Sequence, residues 1–291
     1  MRWTPGQQSE DIEDRRDDDG GGRGGGGLSG THLGCGGVLL LLVLSLLFKT
    51  NLFTLLDQGP ATPSPSVPVA GPSARSHAPE EDRRAQFVSF VLDDVQATWD
   101  RLLPTATGVP YVHAKLVLFR ETTRSGCGLA ESASGPFYCP SDRKVYIDLA
   151  FYDELRSRFG ADGEFAQAYV IAHELGHHVQ NLLGIDDKVR QLQESRPRQA
   201  NAYSVRLELQ ADCLAGVWGH ATAQRNLLQE GDAESAIDAA AAIGDDRIQR
   251  MTSGRVFPES FTHGSSQQRV QWFKQGFAAG VPKACDTFGA R

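Results

Sequence analysis

The stretch "AHELGHHVQ" (172–180) places three imidazoles and a carboxylate within six residues: His173, Glu174, His177 and His178. On a helix, residues four apart stand on one face. His173 and His177 can therefore both reach one Zn²⁺, and Glu174 can lean over a water on that ion as a general base. His178 lies about 100° further round the helix. That angle excludes it from the same ion and leaves it behind the site or on the surface. Gly176 costs about 1 kcal/mol of helix stability, and a residue without a side chain there lets another element come close to the metal.

A catalytic zinc site takes three protein ligands and keeps one position open. The third ligand must come from another segment, and "VRLELQADCLAGVWGH" offers it. Glu208 and Asp212 share one face of an otherwise apolar helix, where carboxylates are costly unless paired or metal-bound. Glu208 is expected on the metal. Asp212 is expected behind it, accepting a hydrogen bond from the far nitrogen of His173 and fixing its tautomer. The alternative is a solvated helix face shared with Arg206. His220 lies too far along the same helix to join the ion and reads as a surface or capping histidine. In "SFTHGSSQQRVQWF", His263 sits in a loop before a C-terminal helix, where it could stabilise the oxyanion of a tetrahedral intermediate. Arg269 could support it or bind a substrate carboxylate. The alternative is a turn histidine and a surface arginine.

These residues need a scaffold, and the chain supplies one from about residue 81. "EDRRAQFVSFVLDDVQATWDRLL" has helical periodicity, with Phe87, Phe90, Val91, Val95 and Leu102 on one side. Residues 112–122 and 144–151 read as strands, the second a candidate edge for an extended substrate. Helices are expected over 162–183, about 199–224, 232–252 and 265–279. A small sheet followed by helices is an α+β arrangement.

Ahead of this domain, residues 1–32 are rich in charge and glycine and read as a disordered cytoplasmic tail. Residues 33–56 form an apolar run, interrupted by Lys49, that reads as a single transmembrane helix. A cleaved signal peptide is the rival reading. Arg15, Arg16 and Arg23 before the run favour an N-terminus in the cytoplasm and a catalytic domain in the periplasm or outside the cell. Residues 57–80 are a Pro/Ser-rich linker, and 81–291 form the zinc domain.

Of the five cysteines, Cys35 lies at the apolar run. Cys127, Cys139, Cys213 and Cys285 are compatible with two disulfides in an oxidising compartment, and Cys127 and Cys139 flank a loop that a bridge could close. Ordinary buried thiols are the alternative. No CxxC pair is present, which argues against a zinc ribbon. A net charge of −7 with no basic stripe argues against nucleic-acid binding.

"YVIAHELGHHVQNLLG", "RLELQADCLAGVWGH" and "SFTHGSSQQRVQWFKQGF", with "CGLAESASGPFYCPSDRKVYIDLAFYDEL" ahead of them, together resemble the bacterial neutral zinc metallopeptidase family. The order HExxH then ExxxD is similar to gluzincin-type metallopeptidases. The resemblance covers most of 81–285, and with the leader and apolar run nearly the whole chain. It implies a zincin-like domain with one Zn²⁺ on His173, His177 and Glu208, with Asp212 behind and Glu174 as base. "THGSSQQR" is similar to a His-then-Arg element of membrane-linked gluzincins, which implies a catalytic role for His263. A membrane-anchored endopeptidase acting on proteins or peptides is the expected function. The alternative is a non-catalytic zinc-containing binding or scaffold module of the cell envelope. Glu174 argues against that, since a structural site has no use for it.

Overall fold

The computed structural model describes residues 1–6, 8–18, 78–132, 135–158, 160 and 163–289. In chain order these form β1 (Ile12–Asp14), α1 (Pro79–Thr107), β2 (Lys115–Phe119), β3 (Thr122–Ser125), β4 (Gly128–Glu131), β5 (Phe137–Cys139), β6 (Lys144–Asp148), α2 (Ala150–Ser157), α3 (Glu164–Leu182), α4 (Ile185–Ser195), α5 (Ala200–Gln224), α6 (Asp232–Ala242), α7 (Asp245–Ser253) and α8 (Ser266–Ala279). The class is α+β. Among the described residues no helix is long and apolar enough to cross a membrane. The expected span at 33–56 lies outside those residues, as do Cys35 and all but the last three residues of the expected linker.

Helix α1 begins with Pro79 in its first turn and carries Glu80, Glu81 and Asp82 there, residue types that suit the positive end of a helix. Phe87, Val91, Val95 and Trp99 are buried along one side, and Phe90 and Leu102 pack partly against the same core. The four-stranded sheet has the order β1-β2-β6-β5, with β1, β2 and β6 parallel and β5 antiparallel to β6. Leu116 and Leu118 of β2 face the main core. Val117 and Phe119 face a second cluster with Ala130, Cys139 and Tyr146, under the β3–β4 ladder. Being covered on both faces is what makes β2 apolar from Leu116 to Phe119.

Four expectations need correction. The first is the disordered tail. Residues 1–18 are folded into the same unit as residues 76–291. β1 pairs with β2, Ile12 opposite Leu116 and Asp14 opposite Leu118. The Trp3 ring lies 5.2 Å from Phe87, and its Nε1 donates to Glu164 at 3.0 Å. Arg16 is 6% exposed and pairs with Asp14, Glu81 and Asp82. The segment is held mainly by polar and ionic bonds rather than by an apolar face, so its composition hides its order. The second correction concerns the substrate edge. β6 is internal, and β5 is the edge strand on that side of the sheet.

Third, the helix expected over 232–252 is broken into α6 and α7. A Cβ on Gly244 would stand 2.4 Å from the Ser266 backbone nitrogen, so α8 starts against the break. Fourth, α4 takes up a stretch for which no helix was expected, "IDDKVRQLQES", buried mainly through Val189.

Helices α3, α5 and α8 are packed backbone to backbone. A Cβ on Gly276 of α8 would meet the Cys213 carbonyl oxygen of α5 at 1.9 Å, and one on Gly216 would meet the Phe273 carbonyl oxygen at 2.1 Å. One on Gly176 of α3 would meet the Ala211 carbonyl oxygen and Cα of α5 at 3.0 and 3.1 Å. Glycine at these points is what lets α5 lie close to both neighbours. Two disulfides are present, Cys127–Cys139 and Cys213–Cys285. The first ties the β3–β4 turn to β5, and the second ties α5 to the 3₁₀ turn Pro282–Cys285.

Candidate metal centre

Helix α3 presents His173 and His177 on one face, with ring centroids 4.9 Å apart and planes at 90°. Helix α5 presents Glu208 to both. The His173 Nε2 lies 3.2 Å from one carboxylate oxygen, and the His177 Nε2 lies 3.5 Å from the other. One ligand atom from each of the three residues lies within 4.8 Å of the other two. Among the described residues this is the one group of three or more His, Cys, Asp or Glu with metal-ligand spacing. Burial disfavours charge on both Glu208 and His177. Even so, Glu208 is held well below the ordinary carboxylate range by His177 and His173, and His177 is pushed up to about 10 by Glu208 and Glu174. Two imidazoles and a carboxylate that draw charge onto one another this strongly fit a divalent cation, and two nitrogens with one oxygen is a zinc donor set.

The ligands are oriented from behind. The His173 Nδ1 lies 2.9 Å from the Asp212 Oδ1. Asp212 is fully buried and also accepts from the Tyr169 hydroxyl and from Arg269, through Nε at 2.8 Å and Nη2 at 2.9 Å. Arg269 is 2% exposed, so its guanidinium serves Asp212 and not a substrate carboxylate. That corrects the surface role considered for it. The His177 Nδ1 meets the Gln180 Oε1 at 2.8 Å, and the Gln180 amide donates to the Leu207 carbonyl at 2.7 Å. The sequence reading passed over Gln180. Its signal is the spacing of three residues from His177 on one helix.

Glu174 is buried at 7% exposure beside the ligands, and no hydrogen bond ties its carboxylate down among the described residues. Burial raises its carboxyl above the usual range, with His173 and His177 pulling it back. A general base gains from such a lift toward neutral pH. His263 reaches the same cleft from the loop after α7. The Asp245 Oδ2 accepts the backbone N–H groups of Thr262, His263 and Gly264 at 2.7, 2.6 and 3.0 Å. The Asp245 Oδ1 lies 3.2 Å from the His263 Nδ1. This hydrogen bond raises the imidazole above its ordinary value against the opposing effect of burial. Asp245 escaped the sequence reading because it sits at the break in what reads as one helix.

The other described histidines stand apart from the metal group. His178 is fully buried, with Nε2 donating to the Val112 carbonyl at 2.6 Å and Nδ1 at 2.9 Å from the Tyr138 hydroxyl. It thereby fastens β5 beside α3. The His220 Nδ1 donates to the Phe277 carbonyl at 2.7 Å, joining α5 to α8.

The metal group, Glu174 and His263 open into one cleft of about 620 Å³, lined also by Phe137 and Tyr138 of β5 and by the apolar side chains Phe151, Val170, Ile243 and Ile248. A larger depression, about 1120 Å³, lies against Val205 and Leu209 of α5 and contains none of the metal group.

Residues 1–288 match the model of a family described as "Putative neutral zinc metallopeptidase". The Escherichia coli protein YpfJ is 49% identical over 292 residues, covering 99% of both chains. Rv2575 of Mycobacterium tuberculosis is 44% identical over 209 residues, 68% of both chains. Both relatives carry the designation "uncharacterized protein". No solved structure matches the chain.

Proposed function

Since the chain belongs to the family described as "Putative neutral zinc metallopeptidase", we propose that it is a zinc-dependent endopeptidase cleaving extended protein or peptide substrates. One observation carries this reading. Three ligands converge at the floor of an open cleft, and a fourth buried group, Glu174, stands beside them without being needed as a ligand. A Zn²⁺ held by His173, His177 and Glu208 would polarise the scissile carbonyl and lower the pKa of the attacking water. Glu174 takes the proton from that water and passes it to the leaving amine. His263, oriented by Asp245, donates from Nε2 to the carbonyl oxygen as negative charge develops there. Asp212 and Gln180 keep the two ligand imidazoles in their working tautomers. Edge strand β5 offers backbone groups to pair with an extended substrate, and His178 holds it in place.

The reading extends to location. Two disulfides favour an oxidising compartment, and the apolar run 33–56 favours attachment to a membrane. Residues 1–18 belong with the zinc domain on the same face of that membrane. A bilayer cannot separate β1 from β2, which supports this placement over one with the N-terminus inside and the domain outside.

Metal analysis of the full-length chain tests the core of the proposal. About one zinc per chain is expected, lost in Glu208→Ala. Glu174→Gln should retain zinc and lose cleavage of an unfolded protein by a factor on the order of 10² or more. A Glu174→Gln variant as active as the parent protein would sink the mechanism.

A further inference from the structure

Most charged side chains lining the cleft are accounted for. Glu208 faces the two histidines, Arg269 holds Asp212, Arg158 pairs with Glu154 at 3.2 Å, and Glu174 is the base. Asp186 remains. It stands in the first turn of α4, four residues after α3 ends, so it borders the cleft beyond His177. Its Oδ1 is buried and has no hydrogen-bond partner among the described residues. Arg190, one turn along α4, pairs with Asp187 instead. An acid in a first helical turn is ordinary, and such a residue commonly accepts a backbone N–H. This one caps nothing. Burial pushes its carboxyl up to about 6, as befits a carboxylate short of a counter-charge. A buried acceptor left without a donor is costly, and a ligand that supplies the donor recovers that cost.

We propose that Asp186 is a specificity-determining residue that receives a lysine or arginine side chain of the substrate, in a subsite beyond His177. The surrounding wall is apolar at Pro140 and Leu207, which suits the aliphatic stem of such a side chain. The cleft would then select a peptide with one basic residue close to the scissile bond among otherwise apolar neighbours. This rests on the peptidase reading above and adds the substrate class.

The test uses full-length, zinc-loaded protein carrying Glu174→Gln, so that peptides bind without being cut. A set of fluorescent peptides is compared position by position, with lysine against its neutral isostere norleucine, by anisotropy. Lysine at one position should bind about tenfold more tightly. Adding Asp186→Asn should erase that preference while leaving the norleucine peptides within twofold. No lysine preference at any position would overturn the proposal. So would a preference that survives Asp186→Asn, or an equal loss for all peptides. Cleavage by the parent protein with no basic preference would leave the peptidase reading standing and remove only this one. Absence of any peptide binding or cleavage would remove both.

Discussion

At the residue scale, His173, His177 and His263 each have a partner that fixes the imidazole: Asp212, Gln180 and Asp245. Asp212 is the clearest case. It is a fully buried carboxylate that gathers His173, Tyr169 and the Nε and Nη2 donors of Arg269. Removing it would leave a buried guanidinium unpaired as well as freeing the ligand. Asp245 plays the equivalent part for His263, and here the consequence can be read from pH. The raised pKa of His263 keeps Nε2 protonated to higher pH than the ordinary value of about 6.5. The stabilising bond to Asp245 is therefore complete below that ordinary value. It is lost as pH rises through the raised value, together with the donor to the carbonyl oxygen. Asp245→Asn weakens the attraction, so the alkaline limb of kcat/KM should move to lower pH. Cleavage should fall on the alkaline side of the profile, with zinc content unchanged. Superimposable pH profiles for the two proteins would show that His263 is not the titrating donor.

At the element scale, the site depends on how closely α3, α5 and α8 approach. Gly176 tests this with a sign that simple propensity gets wrong. Glycine to alanine inside a helix ordinarily stabilises by up to about 1 kcal/mol. At Gly176 the added Cβ would press on the Ala211 backbone at 3.0–3.1 Å. α5 has little room to yield, because α8 meets it at Gly216 and Gly276 and Cys213–Cys285 pins it. Gly176→Ala should therefore lower the melting temperature, by about 1–2 kcal/mol of stability, and weaken zinc binding by opening the α3–α5 gap. A higher melting temperature with unchanged zinc affinity would refute this. The same elements show what the sequence could disclose. His173, His177, Glu208 and Asp212 were legible because spacing by four on apolar helices leaves few other uses for such residues. Gly176 was legible as a point of close approach. α4 was hidden by its many polar residues. The split between α6 and α7, and with it Asp245, was hidden because an alanine-rich run hides a break. β5 is three residues long between Pro136 and Pro140, so its role as the edge beside the cleft came from pairing distant in sequence.

At the scale of the whole molecule, the decisive contacts are those of residues 1–18. Asp11 accepts from Gln96 and Lys115, both at 2.8 Å, and meets His113 at 2.7 Å. Ser9 bonds Ser89 and Asp93 of α1, and Arg16 joins the segment to the start of α1 through Glu81 and Asp82. Removing the first 50 residues, as signal cleavage would, strips β1 from the edge of β2 and exposes the buried side chains it covers. Two measurements follow. Mass spectrometry of the mature protein should recover peptides from residues 1–18. With Cys35→Ser as background, Asp18→Cys and Arg255→Cys are both at exposed positions and should react alike with a membrane-impermeant maleimide in intact cells. Labelling of Arg255→Cys without Asp18→Cys, or a mature chain beginning beyond residue 48, would mean that β1 is not paired with β2 in the mature protein and would restore the single-span arrangement.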